Sequence, residues 1–343
     1  MITDNGFRSP WWLRSGHAQT MWAGGLRRGP STVLKREALR LDDGDQLQLF
    51  WGPREQGPAV IVLHGLGGSA ESPYVRGLLQ ELKARGFQGV VMQFRGTGEH
   101  LNEQPRFFHA GAIEDVQAAV THVRRSLPER PLAMVGFSMG GIMTLNWLGA
   151  AGKGAELDAA VTVSTPLALA ECAEYLNSGF RRIYDRHLVR GLRQLVRRKL
   201  AQQSMPVDPA VLRRARSLRQ FDDHITGPLH GFRDAADYYS RCSPTRVLGA
   251  IHVPTRIIHA LDDPFIPASS LPSARGLASN VRMEVSERGG HVGFVAGAGP
   301  ARPHYWLDTA IAQRLEEMLG SRDAHSLPDT RRPPDGGLLE SAG

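Results

Sequence analysis

With 343 residues and 41% hydrophobic content the chain can bury a large core, as one domain carrying an insertion or as two domains, and disorder is not the default reading. A net charge of +7 and a pI near 9.8 would implicate a polyanion or an anionic membrane only if the basic residues clustered. Cys172 and Cys242, 70 residues apart, suit neither a disulfide framework nor a metal knuckle, which favours a reducing compartment.

The first twenty residues, MITDNGFRSPWWLRSGHAQT, lack a basic stretch followed by an apolar core, and no window of 18 apolar residues occurs anywhere. The expectation is a soluble, cytoplasmic protein. Short apolar runs then alternate with helical patterns, the signature of a mostly parallel, doubly wound α/β sheet. Strands are predicted at Ala59 to Leu63, Val90 to Phe94, Leu132 to Val135, Ala159 to Val163, Thr255 to His259 and Arg282 to Val285. Ile113, Val116, Val120, Val123 and Leu127 recur at helical spacing and should face that sheet.

Residues 166–240 break the alternation and read as a helical cap inserted into a domain spanning 1–320. Within them RRIYDRHLVRGLRQLVRRKL carries eight Arg and Lys in twenty residues, with Tyr184, Leu188, Leu192, Leu195 and Val196 on one stripe. The stripe predicts a helix packed on the core with solvated arginines; weak peripheral contact with anionic lipid is the second reading, and nucleic-acid binding finds no support. Residues 321–343, rich in Pro, Gly and charge, predict a disordered tail.

VGFSMGG, residues 135–141, sits where an apolar strand meets an apolar helix. A serine there can stand on a strained turn, its hydroxyl exposed at the carboxyl edge of the sheet, rather than in an ordinary Gly-rich loop. Such a hydroxyl needs a histidine to take its proton and a carboxylate to orient the histidine. IIHALDDPFIP supplies Asp262 and Asp263, of which Asp263 is preferred because it opens an Asp-Pro turn, and SERGGHVGF supplies His291 in a glycine-flanked loop. The chain order Ser138, Asp263, His291 suits this architecture.

Oxyanion donors are assigned to the amides of Leu66, in HGLGGSAESPYV, and of Met139, with His64 shaping the loop. Gly65, Gly67 and Ala70 also match a dinucleotide fingerprint. The acidic residue which that motif wants is replaced by Gln93 and Arg95, so no cofactor is expected.

GHAQT, HGLGGSAESPYV, FRGTGEHLNEQPRFFHAGAIEDV, DAADYYSRCSP, IIHALDDPFIP and GGHVGFV together resemble the YheT-like branch of the α/β-hydrolases, over about residues 16–319. The resemblance implies the α/β-hydrolase fold and a Ser138, Asp263, His291 triad acting on small carboxylic esters without cofactor or metal. Thr97, Ala18 and Ala110 depart from the pattern more usual among relatives. The expected activity is a serine carboxylesterase for short- to medium-chain acyl esters. An acyltransferase sharing its acyl-enzyme and a non-catalytic binding protein on the same fold are the alternatives.

Overall fold

The computed structural model describes residues 1–99 and 101–326, the last six of these as backbone only. Nine strands form one sheet: β1 (Ile2–Asp4), β2 (Lys35–Arg40), β3 (Gln46–Trp51), β4 (Ala59–Leu63), β5 (Gln88–Gln93), β6 (Leu132–Phe137), β7 (Ala159–Val163), β8 (Thr255–Ala260) and β9 (Val281–Ser286). Their order across the sheet is β1-β9-β8-β7-β6-β4-β5-β3-β2. Only β3 runs antiparallel to its neighbours β2 and β5; every other pair is parallel.

The six predicted strands are the central ones, each matched to within two residues per end. Those missed in this sheet lie at or beside its edges: β2, KREALR, is mostly charged and mostly exposed, β3 begins by alternating polar with apolar, and β1 has three residues. Central strands are buried on both faces. In β4, Ile61 and Leu63 enter one core while Val60 and Val62 enter the other, the period-two consequence of pleating.

Helices cover both faces. One core receives α3 (Ile113–Ser126) and α4 (Met139–Ala151); the other receives α2 (Pro73–Ala84) and the C-terminal helix Trp306–Ser326. The leading helix, α1 (Gly16–Gly25), crosses the sheet's carboxyl edge. After β4 the chain pairs β5 on one side and then returns to place β6 on the other. This makes a switch point at the carboxyl ends of β4 and β6, where α/β sheets open a crevice.

Between β7 and β8 the chain is helical, including α5 (Leu169–Leu176), the long α6 (Arg182–Leu200) and the helix Ala235–Cys242. Along α6, Tyr184, Val189, Leu192, Leu195 and Val196 are buried, whereas Arg182, Arg186, Arg190, Arg197 and Arg198 are exposed. Lys199 is the exception among the basic residues: fully buried, its Nζ donates to the carbonyls of Asn102 and Gln104 and to Asn102 Oδ1. No helix among the described residues is long and apolar enough to cross a membrane. The C-terminal helix runs five residues past Ser321; the rest of the tail, 327–343, lies outside the described residues.

Candidate active site

Ser138 joins β6 to α4 at φ 50° and ψ −111°, a backbone conformation that non-glycine residues rarely adopt and that the surroundings must hold. They do so through two hydrogen bonds: Ser138 N–H donates to the Val163 carbonyl at 2.9 Å, and Gly140 N–H to the His64 carbonyl at 3.1 Å. The flanking glycines are required by proximity. A Cβ on Gly140 would strike the Leu63 carbonyl, one on Gly136 would lie 2.5 Å from the Gly140 carbonyl, and one on Gly141 would strike Thr165.

Past the elbow, His291 Nε2 lies 2.9 Å from Ser138 Oγ, and its Nδ1 lies 2.9 and 3.1 Å from the two Asp263 oxygens. Asp263, 1% exposed, also accepts from Phe265 N–H at 2.8 Å. A carboxylate at Nδ1 keeps the proton there and leaves Nε2 free to accept from the serine hydroxyl. Asp262 bonds elsewhere, its Oδ1 accepting from Gly290 N–H at 2.9 Å, and so ties down the histidine loop. Burial raises the Asp262 carboxyl, and the Gly290 and Gly289 amides pull it back.

Three further residues hold that loop. Thr20 Oγ1 accepts from His291 N–H at 2.9 Å and donates to the Gly16 carbonyl at 2.7 Å. Gln19, fully buried, bridges the Leu13 and Val295 carbonyls with Nε2 and accepts from Val295 N–H. Ser164 Oγ accepts from Val292 N–H at 3.0 Å, holding a β-branched residue at φ 52°. The segment GHAQT is the sequence signal for Gln19 and Thr20, and none marks Ser164; the tie from Thr20 to the histidine loop spans 271 residues of chain.

On the opposite side, His64 donates from Nδ1 to the Gly65 carbonyl at 2.9 Å and accepts Phe94 N–H at Nε2. Burial lowers its pKa to about 4, so it stays neutral and shapes the loop. Gly65 N–H donates to Tyr74 Oη at 2.8 Å. The amides of Leu66 and Met139 donate to no described atom, and both residues line the cavity that holds Ser138. The dinucleotide reading fails here: Gln93 Oε1 accepts from Ala70 N–H, and Arg95 is buried against Asp115, Asp45 and Asp43.

The cavity has a volume of about 290 Å³, near the lower end of the range for small-molecule sites, roughly 300–1,000 Å³. Its walls are largely apolar, including Leu66, Ile142, Leu169, Leu188, Leu192 and Phe265. Phe265 stacks on His291. Asp222 is the one carboxylate among the described lining residues; burial lifts it to about 6 against the opposing effect of Thr226 and Tyr239 hydrogen bonds.

Comparison with known proteins gives the family and the fold. Residues 58–298 match the family described as the alpha/beta hydrolase fold. The chain is 38% identical over 312 residues to "Putative esterase YheT" of Escherichia coli, covering 89% of this chain and 92% of that protein. It is 28% identical to "Phospholipase ABHD3" of Bos taurus, covering 93% of this chain and 80% of that one. Among solved structures, an esterase of Pyrococcus furiosus superposes with a TM-score of 0.56 at 15% identity, covering 94% and 98% of the two chains, a likeness of fold.

Proposed function

The chain belongs to the α/β-hydrolase fold family, in the branch that includes YheT, and from that premise we propose that it is a serine carboxylesterase for short- to medium-chain acyl esters. Ser138 Oγ attacks the ester carbonyl while His291 Nε2 takes its proton and Asp263 steadies the imidazolium. The Leu66 and Met139 amides receive the oxyanion. His291 then protonates the departing alcohol, and water, activated by the same imidazole, releases the acid and restores Ser138. Residues 166–240 act as the cap, supplying Leu169, Leu188 and Leu192 to the wall where an acyl chain would lie.

The observation that carries this reading is the unbroken chain of hydrogen bonds from Asp263 through His291 to Ser138, ending in an apolar cavity beside two unpaired amides. The names borne by the bacterial and bovine relatives favour ester chemistry. The test is mass spectrometry after exposure to a fluorophosphonate. A single adduct on Ser138, absent in Ser138→Ala, is the expected result; no adduct, or one elsewhere, would make the protein a binding module on a hydrolase scaffold.

A further inference from the structure

An apolar cavity that holds an ester needs no carboxylate beyond the one that steadies the histidine, yet Asp222 lines it. The residue begins a single π-turn, Asp222–Thr226, a widened helical step uncommon outside functional sites. Tyr239 Oη donates to Asp222 Oδ2 at 2.7 Å, and the Thr226 side chain is bonded to the same carboxyl. These hydroxyls orient the charge without neutralising it. Among the described residues no Lys, Arg or His forms an ion pair with Asp222, and the charge of Asp185 of α6, which acts on it, is also negative. The rings of Tyr238 and Tyr239 line the same cavity and feel the Asp222 charge.

Placing an unpaired carboxylate against an apolar wall costs free energy, and a ligand that carries the opposite charge recovers it. Hydroxyl groups would satisfy a lone pair but leave the charge uncompensated. A protonated amine does both, and neighbouring tyrosine rings favour a cation through their electron-rich faces.

We propose that Asp222 is a specificity-determining residue that receives a protonated amine carried by the ester, at a point removed from the scissile carbonyl. The inference rests on the esterase reading only in taking this cavity as the substrate site. It places cationic esters ahead of neutral ones of the same length.

The test is isothermal titration calorimetry at pH 7.5 with three ligands of equal chain length: hexylammonium, hexan-1-ol and hexanoate. The wild-type protein should bind hexylammonium about tenfold or more tighter than hexan-1-ol, with hexanoate weakest. Asp222→Asn should remove that preference and leave hexan-1-ol affinity within about twofold. Equal binding of hexylammonium and hexan-1-ol by the wild type, or an ammonium preference that survives in Asp222→Asn, would overturn the proposal. If Asp222→Asn fails to fold, the wild-type order of the three ligands decides. Since binding is read without turnover, failure to hydrolyse p-nitrophenyl butyrate would count against the esterase reading alone.

Discussion

Phe265 lies flat on the imidazole of His291, the ring centroids 4.0 Å apart and the planes within 3°. Asp263 accepts from the amide of that same Phe265. One turn therefore orients the imidazole through its edge and through its face. Truncating the ring in Phe265→Ala should lower kcat/KM by about tenfold, in line with the ~0.5–1.5 kcal/mol that stacking adds to burial. Phe265→Tyr should stay within about threefold. Steady-state hydrolysis of p-nitrophenyl butyrate measures both.

Thr20→Val deprives the His291 amide of its acceptor while keeping the side chain's shape, a loss of about 1–3 kcal/mol for a buried donor. We expect kcat to fall by at least about tenfold, with KM nearly unchanged, because the imidazole is displaced rather than the substrate. Thr20→Ser should restore it. Full activity in Thr20→Val together with a loss in Thr20→Ser would show that the methyl group, and not the hydrogen bond, matters.

Four histidines are held neutral by desolvation: the buried His64, His109 and His259 with pKa values lowered to about 4, and the half-buried His230 to about 2. In the unfolded chain each would protonate near 6.5, so below that pH unfolding takes up protons and stability falls as pH falls. Asp222 and Asp308, raised to about 6, act in the opposite sense between about pH 4 and 6. Four uptakes less two releases leave at most about two protons near pH 5, a slope of up to ~2.7 kcal/mol per pH unit. Melting temperature should therefore drop between pH 6.5 and 5. A flat or rising profile would contradict the assignment of these imidazoles as neutral.

Asp222 carries its own stability signature. A carboxyl whose pKa rises on folding is favoured while protonated and destabilises the native state once pH passes through its folded value. Asp222→Asn, which retains an acceptor for Tyr239, should therefore be more stable than wild type at pH 8, by about 1–3 kcal/mol. The gain should shrink as pH falls through 6 and vanish near 4, where Asp185, Tyr238 and Tyr239, the other titrating groups acting on this site, are common to both proteins. Thermal melts at three pH values read it.

The central strands were legible because a strand buried on both faces is a continuous apolar word such as AVIVL. An edge strand such as KREALR was not, since most of its residues face water and leave no apolar run to read. For the site, Ser138, Asp263 and His291 could be picked out because each sits at a strand end with a local turn pattern. Asp222, Phe265 and Ser164 could not, because their parts depend on which loops lie alongside them. Asp262 shows how close the two cases run: two adjacent carboxylates, one bonded to the imidazole and the other to the backbone of the loop that carries it.

The tie between Thr20 and His291 also orders events in time. Residues of α1 must meet residues 271 positions further along the chain before Ser138 faces a positioned base. The arrangement is therefore complete only once β9 has docked beside β1 and β8, which brings segments far apart in the chain together on one side of the sheet.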